Sequence, residues 1–157
     1  MWQRKQSVFL LVAAMLAFAT WLFPVATYEV GERTFEFWTT GLYVDGGAEF
    51  TDRALKIPFS IILSVLGAAM LVTIALYRNR PRQMRFVRGT YLLVLGVIAF
   101  LFITDNSMQA YLEGIGEVDS NYGPSFFMPM IILPLAFMAE RAIRSDEELV
   151  RSTDRLR

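Results

Sequence analysis

The chain alternates long apolar stretches with shorter polar ones. Four stretches contain no Asp, Glu, Lys or Arg: Ser7–Tyr28, Ile57–Tyr77, Gly89–Thr104 and Tyr122–Ala139. A helix needs about 20 mostly apolar residues to cross a bilayer, with about 17 as the lower bound. The first two stretches exceed this. The third reaches it with Phe86-Val87 before it and Asn106 onward after it, and the fourth with its polar start. The pattern predicts one membrane domain over 1–157, with spans at about 7–28, 57–77, 87–105 and 122–140. Outer loops then fall at 29–56 and 106–121, a cytoplasmic loop at 78–86 and a cytoplasmic tail at 141–157.

The first outer segment is patterned differently. "YEVGERTFEFW" alternates around Gly31-Glu32, and a glycine at the first position of a two-residue loop suits a type II′ hairpin. Thr34, Glu36 and Trp38 would face one side, Phe35 and Phe37 the other. Asp45-Gly46-Gly47 marks a second turn. A small antiparallel meander follows, with strands Ala26–Val30, Arg33–Thr39, Leu42–Val44 and Ala48–Phe50, one face resting on the helix ends because an isolated ribbon is only marginally stable. In the second outer segment, Met108–Leu112 suits either a helical extension or an added strand, and Gly114, Gly116 and Gly123 suit a loop. The tail "ERAIRSDEELVRSTDRLR" reads as a water-exposed helix. Glu140–Arg144 and Glu147–Arg151 are spaced as i,i+4 pairs, Ser145 and Glu148 as a capping box, and Ala142, Leu149 and Leu156 form an apolar stripe with Ile143 and Val150 beside it. The expected fold is an all-α integral membrane protein: a four-transmembrane-helix bundle with a small extracytoplasmic antiparallel β meander and a cytoplasmic C-terminal helix.

Charge orients this arrangement. The segment "YRNRPRQMRFVR" carries Arg78, Arg80, Arg82, Arg85 and Arg88 and no acid, although the whole chain balances 15 basic against 15 acidic residues. Arg4 and Lys5 precede the first stretch, and Arg141, Arg144, Arg151, Arg155 and Arg157 follow the last. The 29–56 segment has only Arg33, Arg53 and Lys56 against Glu29, Glu32, Glu36, Asp45, Glu49 and Asp52, while Asp105, Glu113, Glu117 and Asp119 lie between the third and fourth stretches with no base. Cytoplasmic loops are enriched in Lys and Arg, so both termini and the arginine loop are expected inside, on the cytoplasmic face. The five arginines then act as a topology signal that meets anionic lipid headgroups. Nucleic-acid binding is not expected: only Phe86 stands among them as a stacking aromatic, and Pro81 interrupts a continuous basic helix. Val8–Phe23 is long for a signal-peptide core of about 7–15 residues, so the first stretch reads as a retained span.

Composition removes much chemistry. With no cysteine and no histidine, the chain lacks thiolates and the commonest metal ligand, general base and haem ligand. No catalytic, cofactor or metal residues are assigned. No charge lies inside the four uncharged stretches, and Asp105 and Glu140 are expected at edges reached by water. Pro124 suits a helix's first turn, whereas Pro129 and Pro134 fall inside the fourth span and free the carbonyls of Ser125 and Met130, a candidate helix break. Ser60, Ser64 and Ala68, and Gly89, Gly96 and Ala99, are candidate close-packing positions. Trp2, Trp21, Tyr28 and Tyr77 fit interfacial belts.

The start "MWQRKQSVFLLVAAM", the central "YRNRPRQMRF", the "PMIILPLAFMAERAIR" of the fourth stretch and the ending "DEELVRSTDRLR" resemble domain-of-unknown-function family 4293, small four-helix membrane proteins mainly of Bacteroidota. The likeness runs over nearly the whole chain and is weakest in the outer segments. It implies an inner-membrane location and supplies no activity or catalytic residues. Ser145 and Thr153 stand where the family pattern suggests Lys and Ala.

The expected role is a non-enzymatic accessory, assembly or scaffold component whose partners are the lipid bilayer and a membrane protein. A small oligomeric transporter or channel built on the proline-containing span is the second reading. An enzyme on a lipid or envelope precursor, using outer carboxylates such as Glu113, Glu117 and Asp119, is the third.

Overall fold

The computed structural model describes residues 5–50 and 57–155. Helix α1 (Lys5–Ala19) leads into strands β1 (Ala26–Val30), β2 (Arg33–Phe37), β3 (Leu42–Val44) and β4 (Ala48–Glu49). Helix α2 (Phe59–Ala75) ends in a 3₁₀ turn, Leu76–Arg78, followed by α3 (Arg80–Glu113), β5 (Val118–Tyr122) and α4 (Pro124–Arg155). The helices form a ring in which α1 packs on α2 and α4, and α3 on the other sides of both.

The sheet is antiparallel throughout, in the order β4-β3-β2-β1-β5. Its first four strands occupy the expected places. Gly31 has φ 63° and Glu32 does not share a positive φ, as a II′ turn requires. The fifth strand, at the end of the segment 106–121 read as an outer loop and including Tyr122 of the expected fourth span, pairs with β1 from Ala26↔Tyr122 to Val30↔Val118. Phe35 and Phe37 are buried while Thr34, Glu36 and Trp38 stay partly exposed, so the alternation points the aromatic face at the helices. There Phe37 meets Phe59 of α2 edge-on at 6.3 Å.

The core has two storeys. Under the sheet, Tyr28, Phe35, Phe37 and Leu42 share a cluster with Phe59, Leu63, Leu101, Met108, Leu112 and Phe126. Farther along the bundle, Leu10, Ala13, Ala14 and Ala17 of α1 pack with Leu66, Met70, Val87, Val94, Ile132 and Ala136.

The expected fold class needs correction in two respects. A five-stranded sheet is present, so the chain is not all-α. Among the described residues only two helices, Arg80–Glu113 and Pro124–Glu148, are long and apolar enough to cross a membrane, in place of the four expected. Apolar sequence and helix are not the same length here. The first stretch leaves helix at Ala19, turns through Pro24 and spends Val25 onward on sheet pairing, with the Val25 amide donating to the Phe37 carbonyl at 2.7 Å. Its 15 helical residues rise about 22 Å, short of the roughly 30 Å hydrocarbon core. Pro58 at the N-cap and the 3₁₀ turn bracket α2 at 17 residues, about 26 Å. In contrast α3 runs for 34 residues, because Arg and Asp at the ends of an apolar run do not stop a helix.

The tail also differs from expectation. Helix α4 passes through Ser145 without restarting, so Ser145 caps nothing. Arg144 pairs with Glu148 at 3.1 Å, and Glu140 turns to α3 instead of to Arg144. Trp2, Arg4, Arg53, Lys56, Leu156 and Arg157 lie outside the described residues, as do the side chains of Leu149, Val150 and Arg151.

Candidate functional site

Charged and polar side chains gather at both ends of the bundle. At the sheet end the centre is Asp105. Its position follows from the buried stripe of α3: Gln83, Val87, Thr90, Val94, Val97, Leu101, Asp105, Met108 and Leu112 recur every three or four residues. Asp105 therefore points inward, at 4% exposure, and is not at a watery edge as its sequence position suggested. The Tyr28 hydroxyl donates to Asp105 Oδ1 at 2.5 Å. Gln109 Nε2 and the Tyr122 hydroxyl each donate to Oδ2 at 3.2 Å, and Gln109 also donates to the Tyr122 oxygen at 3.2 Å. Strands β1 and β5 are thereby fastened to α3 through one carboxyl group. Tyr28 is fully buried in this knot, not in an interfacial belt, and burial together with the Asp105 hydrogen bond pushes its phenol well above the usual tyrosine range.

The opposite end carries the arginines. Asn79 caps α3, its Oδ1 accepting from the Arg82 amide at 3.3 Å, with Pro81 in the first turn where its missing donor costs nothing. Arg78 closes the 3₁₀ turn, and its side chain lies outside the described set. Arg82, Arg85 and Arg88 follow at three-residue steps, which fans them around the helix by about 60° each. Their surroundings differ accordingly. Arg88 Nε donates to Glu140 Oε1 of α4 at 2.5 Å, joining two helices through a carboxylate that the bundle largely covers. Among the described residues Arg85 donates from Nε to its own helix, to the Pro81 carbonyl at 3.4 Å. Arg80 is partly buried. Glu140, expected at a watery edge, is thus a buried partner. Beneath the arginines lie two amides that polarity alone placed nowhere: Gln6 and Gln83, both nearly fully buried. Gln83 Nε2 donates to the Thr73 carbonyl at the end of α2 at 3.1 Å. Both belong to the inner stripes of their helices, a signal visible once the periodicity is carried past the polar residue.

Between the two ends the helices are apolar on every side. Val8, Val12, Met15 and Phe18 face outward from α1, Ile61, Val65 and Val72 from α2, Leu92, Leu93, Phe100 and Ile103 from α3, and Phe127, Ile131 and Phe137 from α4. Helices that are hydrophobic all round belong in a core or in lipid.

Pro129 and Pro134 lie inside α4, which remains one helix from Pro124 to Arg155. The expected close-packing positions are met only in part: Ser60 is buried. A Cβ on Gly89 or Gly96 would meet nothing within 4 Å, and Ala68 and Ala99 are exposed. The tight positions are Gly67, against Phe18, and Gly123, where a Cβ would lie 2.1 Å from the Pro24 carbonyl oxygen. At this second junction the Gly123 amide donates to the Val25 carbonyl at 2.9 Å, and the Ser125 hydroxyl donates to the Phe23 carbonyl at 2.7 Å. Glu113, Glu117 and Asp119 are exposed, and Glu117 and Asp119 line a shallow surface groove with Glu29.

A protein-family model described as "Domain of unknown function (DUF4293)" matches residues 2–156. No curated protein and no solved structure matches the chain.

Proposed function

Since the chain belongs to the DUF4293 family, whose description assigns no activity, we propose a role from the geometry: a non-enzymatic accessory, assembly or scaffold component of the inner membrane. The observation that carries this reading is the apolar exterior between two polar ends. From Gly89 to Thr104 on α3 and from Pro124 to Ala139 on α4 no charge interrupts the helix, a band about 24 Å tall on each. In this reading α3 and α4 cross the bilayer, with α1 and α2 packed beside them. The arginine end and both termini lie in the cytoplasm, following the excess of Lys and Arg there, and the sheet lies outside. The arginines meet the anionic leaflet. The sheet and the cytoplasmic end of α4, beyond Ala139, are two extramembrane surfaces available to a membrane protein partner.

Two measurements test the proposal. Washed native membranes should retain the chain after alkaline carbonate extraction, and crosslinking in them should capture a specific protein partner. Release by carbonate defeats the membrane placement. Retention without any crosslinked partner, in a protein that runs as an isolated monomer, defeats the scaffold role. The second reading is a small oligomeric transporter or channel built on the proline-containing fourth span; α4 runs as one helix through Pro129 and Pro134, and this favours the scaffold reading over it.

A further inference from the structure

Of the adjacent helix pairs in the ring, α2 and α3 touch least, and a groove of about 350 Å³ opens between them. Val65, Leu66 and Ala69 of α2 form one wall. Phe86, Gly89, Thr90 and Leu93 of α3 form the other, with Arg85 at one end. The volume lies within the roughly 300–1,000 Å³ of small-molecule sites. Gly89 keeps the floor open, and a Cβ there would meet nothing within 4 Å. Thr90 adds no polarity, because its hydroxyl is spent on the Phe86 carbonyl at 2.6 Å. The groove is therefore apolar along its length and cationic at a single end.

We infer that this groove is a binding site for one anionic glycerophospholipid, its phosphate on Arg85 and an acyl chain lying along Gly89 to Leu93. The inference rests on the membrane placement proposed above, and three features give it direction. From Arg85 to Leu93 the groove descends about 12 Å along α3, from headgroup depth into the apolar band, the direction in which a lipid tail runs. Arg85 has no acidic side chain within ion-pair distance among the described residues, whereas Arg88 beside it is committed to Glu140. A guanidinium presents a donor fork matched to phosphate oxygens. Val65 and Leu93 stand exposed on the rim, which leaves the groove open sideways to the bilayer and not to the bundle interior.

Native mass spectrometry of the full chain released from detergent micelles tests this, using dioleoyl phosphatidylglycerol against dioleoyl phosphatidylcholine of identical chains. The wild type should retain one phosphatidylglycerol about tenfold more tightly than phosphatidylcholine. Arg85→Ala should abolish that preference, removing a charge-assisted contact worth about tenfold or more. Gly89→Leu, at an open helix position that folding tolerates, should weaken both lipids. Arg144→Ala, at the same end of the bundle but paired with Glu148, should change neither. Soluble glycerol phosphate at equal concentration should not displace the lipid. Equal retention of the two lipids, an unaltered preference in Arg85→Ala, or displacement by glycerol phosphate would each overturn the site. The carbonate test separates the two claims: a chain that stays in membranes yet fails to discriminate lipids loses only this inference.

Discussion

Removing the Tyr28 hydroxyl tests the knot that holds the sheet to α3. Tyr28 is fully buried and Asp105 nearly so, and their hydrogen bond is 2.5 Å long. A bond of this kind to an ionisable group contributes about 1.5–3 kcal/mol, so Tyr28→Phe should cost that much. Asp105→Ala should cost about 2–4 kcal/mol, combining lost packing with one orphaned donor. One donor is orphaned, not three, because Gln109 still donates to the Tyr122 oxygen at 3.2 Å and water reaches the exposed Tyr122 hydroxyl. In the double variant there is no hydroxyl to orphan, so the second change should add almost nothing to the first. The coupling energy should therefore approach the whole cost of Tyr28→Phe. Tyr122→Phe is the internal control: the partner is the same, but Tyr122 is 41% exposed, so water replaces it and the loss should stay below about 1 kcal/mol. Denaturation in mild detergent, followed by near-ultraviolet circular dichroism and tryptophan fluorescence, gives each value by linear extrapolation. Additive single-variant costs, within about 0.5 kcal/mol, would refute the reasoning.

Other outcomes follow from the same geometry. Because the Tyr28 phenol is held above its unfolded value of about 10, its contribution to stability is complete below that pH and is lost as pH rises beyond it, so Tyr28→Phe should flatten the decline above pH 10. Gly123→Ala drives a Cβ into the Pro24 carbonyl and should cost about 3 kcal/mol or more, whereas Gly96→Ala, with open space around it, should stabilise by about 0.5–1 kcal/mol; a shared denaturation series compares them. Arg88→Glu and Glu140→Arg should each lower the thermal midpoint and together restore most of it, while an additive loss would place the pair outside the helix contact. Glu29 and Asp119 face each other across β1 and β5 with like charge, so Asp119→Lys should stabilise by about 0.2–1 kcal/mol, less at high salt; no change at low salt would mean the pair is fully solvated.

Family membership, the four strands of the meander, their inward aromatic face and the gathering of arginine at one end were all legible in the sequence, because each depends on neighbours in the chain. Alternation decides which side of a strand Phe35 and Phe37 take, and glycine at 31 suits a hairpin whatever lies below it. Helix lengths were not legible. Hydropathy reports where apolar residues are, but Val25–Tyr28 pairs with β2 instead of extending α1, and α3 continues through Arg80–Arg88 and Asp105–Glu113. Partners were not legible either. Nothing local tells Asp105 that Tyr28 and Tyr122 will arrive on two strands, tells Glu140 to prefer Arg88 over Arg144, or marks Gly123 rather than Gly96 as the position where a side chain cannot fit. Those choices are made when the sheet lands on the bundle, since a buried polar group must find its hydrogen bonds among whatever distant segments packing brings within reach.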